Sequence, residues 1–262
     1  MTLTDRVLVE LHRAAALAGR PGIAVPSRDL QPESLESAKR DSVHALSRLV
    51  RAGRVQPVRK DLVVLPDATG RVTVGVVDLV EVVAPAMHLI TGGRALEEHR
   101  LTNQHFFSIL VLVPCRVSSF SFRGEKAVFM ATDPERIWGW QEHGPHYATP
   151  ERAVIDAVSH ARYGVSLPMA VGALSRAAER DVGFLGRLAA AADRYGSAAS
   201  ARRVGLIVDR LFGEAAAAPF SELIGDSRTP VPLRPSGAKQ GPVDRKWRVM
   251  VNASIEPARV NA

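Results

Sequence analysis

Cysteine is almost missing from this chain: Cys115 stands alone among 262 residues. One thiol excludes an intramolecular disulfide and any cysteine-rich zinc site, which fits a reducing cytosol. Beside the apolar run 109–113, Cys115 is expected as a small buried hydrophobe and not as a nucleophile. Aromatic residues are scarce at 5%, which argues against a carbohydrate-binding or membrane-interface role. No apolar run approaches the roughly 18 residues of a membrane span. The N-terminus, with Asp5 and Arg6 so early, lacks the apolar core of a signal peptide. A cytoplasmic protein without a membrane partner is expected.

What is present is enough for two ordinary domains. Hydrophobic content of 46% and charged content of 23% are those of a folded protein, and 262 residues allow two separate cores. The net charge of +7 is concentrated. Residues 39–60 hold seven Lys/Arg against one carboxylate, and residues 227–248 hold six against one; together these excesses exceed the whole-chain value. The remainder is therefore slightly acidic, and clustering of this kind is expected for contact with a polyanion.

The first cluster lies on a recognisable element. Val43, Leu46, Leu49 and Val50 recur at helical spacing, leaving Arg40, His44, Ser47, Arg48 and Arg51 on the outer side of an amphipathic helix. Gly53 follows where a left-handed cap is needed. Residues 55–58 and 61–65 then read as two short strands joined through Arg59-Lys60. Helix, glycine stop and basic hairpin is the order of a winged helix-turn-helix, whose helix enters a major groove while the wing meets the flanking backbone. Ahead of it, Thr4 can cap a helix with Val7, Leu8, Leu11, Ala14 and Ala15 on one face, and Pro26 starts a short second helix that is expected to end near Leu35. A single helix over 34–52 would bury Lys39 without a partner, so a turn is expected near 37–39.

Residues 72–83 form a β-branched run expected to add a strand, and the domain boundary is placed at 80/81. Residues 85–99 read as a helix broken at Gly92-Gly93, 106–113 as a central strand, and 117–131 as a hairpin. Thr149-Pro150-Glu151 is a helix start, and three further helices follow from Ser166, Asp181 and Ser197, the last closed by Gly213. The Pro/Gly-rich stretch 226–244 is expected to be irregular, with Trp247, Val249 and Val251 returning as a strand. The fold class is thus α+β: an N-terminal winged helix-turn-helix over 1–80, and a larger domain over 81–262 in which a small sheet precedes a helical bundle.

Four blocks in this order resemble AbiEi-type antitoxins of type IV toxin-antitoxin (abortive infection) systems: LSRLVRAGRVQPVRK (46–60), ATPERAVIDAV (148–158), SARRVGLIVDRLFG (200–213) and RKWRVMVN (245–252). The Arg/Ala/Val-rich composition looks like that of an actinobacterial, mycobacterial member. The resemblance implies an N-terminal domain that binds operator DNA and represses its own operon. It also implies a C-terminal domain that counters a nucleotidyltransferase toxin without a stable direct complex.

On this reading Lys39, Arg40, Ser42, His44 and Arg48 on the helix, with Arg59 and Lys60 at the wing, are the DNA-binding residues. No catalytic residue, cofactor or metal is expected. His143-x-x-His146 beside Glu142 carries metal-capable side chains, but Gly144-Pro145 makes the segment a loop and no third ligand is placed. Gly92-Gly93 resembles the opening of a nucleotidyltransferase site, yet Glu97-Glu98 fall on a helix and no strand carries the paired acids that magnesium needs. Arg202, Arg203 and Arg210 read as a solvated helix face. With no heptad or dimer stripe, a monomer that pairs on DNA is expected. The alternative is a ligand-responsive winged-helix regulator unrelated to a toxin. Arg59→Ala or Lys60→Ala is expected to weaken all duplexes alike, whereas Arg40→Ala should relax base preference at a cost of about 1–3 kcal/mol; anisotropy titrations against matched and scrambled duplexes separate the two.

Overall fold

The computed structural model describes residues 2–30 and 39–256, with residues 39–42 and Arg162 described through their backbone alone. The chain is α+β. It divides into two compact units, Met1–Ala84 with Ser119–Ala127, and Pro85–Ser118 with Val128–Ala262.

The first unit opens with helix α1 (Leu3–Leu17). Its cap is Thr2, not Thr4, because Thr2 and Asp5 form a reciprocal pair: the hydroxyl accepts from the Asp5 N–H and the carboxylate from the Thr2 N–H. Val7, Leu11 and Ala15, four residues apart, make its buried face. Strand β1 (Ile23–Ala24) and the single turn α2 (Pro26–Asp29) follow. Asp29 is buried, accepts from the Val25 N–H and is gripped by both terminal nitrogens of Arg20, at 2.6 and 3.3 Å. Helix α2 ends at Asp29 with Leu30 extended, short of the expected end near Leu35, a residue that itself lies outside the described ones.

Helix α3 (Lys39–Arg51) buries Ala45 and Leu49 completely and Leu46 and Val50 in part. Val43, expected on this stripe, is 61% exposed. At 100° per residue the buried arc is centred between Ala45 and Leu46, and Val43 falls just past its edge. Gly53 takes the left-handed conformation and the Arg54 N–H reaches back to the Leu49 carbonyl, the closure expected of a glycine-terminated helix. Strands β2 (Gln56–Arg59) and β3 (Leu62–Val64) form an antiparallel hairpin, and β1 pairs with β3, giving the order β1-β3-β2. Asp61, at positive φ in the hairpin turn, accepts hydrogen bonds from the backbone N–H and the hydroxyl of Ser27, which ties the turn to α2.

Residues 76–83 correct the strand expectation. Val76, Leu79, Val80 and Val83 recur at i, i+3, i+4 and i+7, and this period prevails over β-branched propensity to give helix α4 (Val76–Val83). Asp78 accepts from the Gly75 N–H at its start.

In the second unit the expected helix over 85–99 is replaced by strand β4 (Leu89–Thr91) and the short helix α5 (Gly93–Glu98). The glycine pair joins strand to helix. A Cβ on Gly92, whose φ is +69°, would lie 2.8 Å from the Tyr163 carbonyl, and one on Gly93 would lie 2.1 Å from the Phe106 ring. Strand β5 (Ser108–Val113) is buried on both faces over 109–113, as expected. Strands β6 (Phe120–Phe122) and β7 (Glu125–Ala131) form the expected hairpin, and the sheet order is β4-β5-β7-β6. Strand β6 and the start of β7 belong to the first unit, where Arg123 donates to the Val72 carbonyl. Cys115 corrects its expectation: it sits past the end of β5 and is exposed.

The helices then follow: α6 (Pro150–Ser159), α7 (Leu167–Arg180), α8 (Phe184–Tyr195), α9 (Ala198–Phe212) and the unforeseen α10 (Glu214–Ser221). Thr149 and Ser197 cap α6 and α9 through their hydroxyls. Helix α8 starts later than Asp181 because that carboxylate accepts from the Gly183 N–H and closes a turn ahead of it. Part of the 226–244 stretch is ordered into strands β8 (Val231–Pro232) and β9 (Val243–Asp244). These flank β10 (Val249–Met250), β8 parallel and β9 antiparallel to it.

Helix α9 holds this terminal sheet. The Trp247 ring lies against Gly205, where a Cβ would come within 2.2 Å of it, and its Nε1–H donates to Asp209 at 2.7 Å. Arg202, 2% exposed, donates to the carbonyls of Ile224, Ser227 and Thr229, so it is a structural clamp and not part of a solvated face. Of the three arginines read that way, Arg210 is largely exposed and pairs with Asp244. In the first unit, Leu49→Ala is expected to cost about 2–5 kcal/mol, since Leu49 is fully buried between α1 and α3; urea denaturation followed by circular dichroism measures it.

Candidate functional site

Two regions carry concentrated polar chemistry. The first is the cationic side of the N-terminal unit. With Ala45 and Leu49 inward, helix periodicity turns His44, Ser47, Arg48 and Arg51 outward, and all four are exposed. Among the described residues His44, Arg48 and Arg51 have no carboxylate partner. Ser47 donates its hydroxyl back to the Val43 carbonyl. Lys60 is exposed at the hairpin turn, whereas Arg59 is half-buried. Arg54 just after α3 pairs with Asp5 at 2.9 Å. The side chains of Lys39, Arg40 and Ser42 lie outside the described residues.

The second region was not foreseen and lies wholly in the second unit. Helix α6 is buried along 151–159 and carries three charges there: Glu151 pairs with Arg187 at 2.8 Å, while Arg152 and Asp156, at i and i+4, satisfy each other. Arg152 Nε donates to Asp156 Oδ2 at 2.9 Å, and its Nη1 donates to the carbonyls of Arg136 and Trp138. Asp156, fully buried, also accepts from the Thr91 hydroxyl at 2.6 Å and the Tyr195 hydroxyl at 2.9 Å. Tyr195 has one proton and gives it to Asp156, so His160 Nε2, 2.9 Å away, must be the donor in their contact. Burial first, and then the Asp156 charge, push the Tyr195 phenol far above its usual range. The Arg152 guanidinium lies 4.7 Å from the Trp138 ring centroid and 5.0 Å from that of Tyr195.

This network forms one wall of a pocket of about 240 Å³. The lining also takes in Ser159 from α6, Gly196, the α9 cap Ser197, and Ser200 and Arg203 on α9. Three hydroxyls run in series: Ser159 donates to Ser200 at 2.8 Å and Ser200 to Ser197 at 3.1 Å. His160 is engaged with Tyr195, so no serine–histidine pair of the kind a nucleophilic hydrolase needs is formed by these contacts. Arg203, 8% exposed, donates through Nε to the Pro232 carbonyl at 2.8 Å. Burial pushes its guanidinium below the usual arginine range, partly offset by Tyr195.

The other sequence candidates are accounted for by their neighbours. Glu97 accepts from His105, from the Phe106 N–H and from Arg94, which together hold its carboxyl below the usual range despite the opposing effect of burial. His143 is exposed, whereas His146 is half-buried with its ring 4.4 Å from that of His88 and 5.8 Å from that of Trp140. A signal that could have found the second region was visible in the sequence: an arginine and an aspartate one turn apart among Ala153, Val154, Ile155, Ala157 and Val158.

No family model matches the chain, and no curated protein sequence does either. Its fold is similar to that in the crystal structure of the RV2827C protein from Mycobacterium tuberculosis, with a TM-score of 0.58 over 94% of this chain and 90% of that one, at 13% identity. At that identity the likeness is one of fold. Among the described residues no helix is long and apolar enough to cross a membrane.

Removing one member of the buried pair should be costly because it strands the other charge. Arg152→Met is expected to destabilise the chain by about 3–5 kcal/mol. Adding Asp156→Asn should return part of the loss; urea midpoints of the single and double variants test this, and an unshifted midpoint for Arg152→Met would count against the network.

Proposed function

We propose that this chain is a DNA-binding antitoxin that represses its own operon through the N-terminal unit and counteracts a nucleotidyltransferase toxin through the C-terminal one. One observation carries the DNA-binding part: α3 packs Ala45 and Leu49 into the core while His44, Arg48 and Arg51 face solvent. The basic turn at Lys60 follows directly in the chain. The element order α1-β1-α2-α3-β2-β3, with the antiparallel sheet β1-β3-β2, supports a winged helix-turn-helix reading. In that arrangement α3 reads base edges and Lys60 meets phosphate, with Lys39, Arg40 and Ser42 at the start of the same helix. Arg59, being half-buried, contributes less of its charge to the surface than Lys60 does. The partner is duplex operator DNA, bound by a chain that is monomeric in solution and pairs on its site.

The antitoxin part rests on the resemblance of the four sequence blocks to AbiEi-type antitoxins. A second reading, a ligand-responsive winged-helix regulator, is favoured by the polar pocket between α6 and α9. Both share the DNA-binding half and differ in the genetic neighbourhood. Anisotropy titrations with the DNA upstream of the gene at several salt concentrations are expected to give log affinity falling linearly with log salt, with a slope smaller by about one in Lys60→Ala. A flat salt response removes the DNA-binding reading. Co-expression with an adjacent nucleotidyltransferase gene is expected to restore growth; failure to do so leaves the ligand-responsive regulator.

A further inference from the structure

Two donors of the pocket between α6 and α9, the Ser197 hydroxyl and the Arg203 guanidinium, are not fully used. Ser197 accepts twice, from the Ser200 N–H and from the Ser200 hydroxyl, so its own proton must point away from both, and no acceptor for it exists among the described residues. Arg203 uses only Nε, on Pro232. Arg203 lines the pocket, and its two terminal nitrogens have no hydrogen-bond acceptor and no carboxylate in ion-pair range among the described residues. An arginine that is more than nine-tenths buried as a residue and has no counter-charge is costly, and the cost falls when an anion enters. The pair Arg152–Asp156 is internally neutral and does not supply that anion.

Two further features fit the same occupant. Ser197 caps the 15-residue helix α9 and Ser200 lies in its first turn, where the helix dipole favours negative charge. The remaining walls are apolar or aromatic, with Leu112, Met130 and Tyr163 beside Tyr195 and Trp138. At about 240 Å³ the pocket is smaller than the range of about 300–1,000 Å³ typical of drug-sized ligands.

We infer that this pocket is a binding site for a phosphate monoester carried on a small organic group, with Arg203 and the Ser197 hydroxyl on the phosphate oxygens and the Trp138–Tyr163–Tyr195 side against the organic part. The pocket lies within the second unit, so the inference stands independently of DNA binding by the first. It gives the ligand-responsive reading a ligand class and is compatible with an antitoxin whose C-terminal unit takes a small phosphorylated molecule.

The test is isothermal titration of the full chain with inorganic phosphate, phenyl phosphate, benzoate and phenol, with thermal melts in parallel, all in a background of Lys60→Ala to thin out surface anion binding. Phenyl phosphate is expected to bind at least tenfold more tightly than benzoate or inorganic phosphate and to raise the melting temperature. Inorganic phosphate should compete with it, and phenol should not bind. Arg203→Met is expected to lower phenyl phosphate affinity at least tenfold, while Arg210→Met, an exposed position on the same helix, should leave it unchanged. Because Arg203 also holds Pro232, a second variant keeps the test decisive: Ser197→Asp retains a helix cap but sets a carboxylate at the mouth, and should abolish binding without lowering the melting temperature of the free chain. Benzoate binding as tightly as phenyl phosphate, or phenyl phosphate affinity indifferent to both Arg203→Met and Ser197→Asp, would overturn the inference, as would absence of binding by every anion.

Discussion

A single carboxylate with no access to water organises the second unit. Asp156 has no exposed surface, and it accepts from Thr91 on β4, Arg152 one turn earlier on α6, and Tyr195 at the end of α8. A buried charge of this kind is tolerated only when its lone pairs are filled, so each donor is fixed in position by the cost of withdrawing it. The consequences spread outward. Arg152, anchored on Asp156, uses Nη1 on the carbonyls of 136 and 138 and so places Trp138; Tyr195, anchored on the same group, orients His160.

Helix α9 does for the C-terminal strands what α6 does for the sheet. Its arginines reach carbonyls of the otherwise irregular stretch after α10, and Gly205 and Asp209 receive the Trp247 ring and its N–H. A segment rich in proline and glycine cannot order itself through local hydrogen bonds, and here the carbonyls it leaves unpaired are the ones the guanidinium groups fill. The same helix therefore closes the molecule's end with one side and shapes the polar pocket with its first turn. Two of the sequence blocks, 200–213 and 245–252, are partners in space because of this packing.

What the sequence made legible was set by period and caps. Helix α3 and its glycine stop, the hairpin after it, and the starts of α6 and α9 follow from spacing and from Ser, Thr and Pro at helix entries. The misreadings have physical causes. The 76–83 segment is β-branched yet spaced for a helix, and burial of Val76, Leu79 and Val80 prevailed over propensity. Strand β4 is three residues long, too short for a period of two to register. Arg202 and Arg203 look like a solvated face because sequence shows charge but not the carbonyls that a distant segment brings to it. The Arg152–Asp156 pair was readable as a pattern; its partners Thr91 and Tyr195, 65 and 39 residues from Asp156 along the chain, were not.

The first unit is not a contiguous stretch of chain, since it takes in Ser119–Ala127 from beyond the first strands of its neighbour. The backbone consequently passes between the units at 84/85, 118/119 and 127/128. Excision of residues 1–84 as a free fragment would leave behind strand β6 and the arginine that engages the Val72 carbonyl, so the N-terminal piece would be isolated with part of itself missing. Swapping or grafting either half onto another protein must carry that nine-residue insert with the amino-terminal portion, and modularity here is a property of the packed molecule, not of the linear gene.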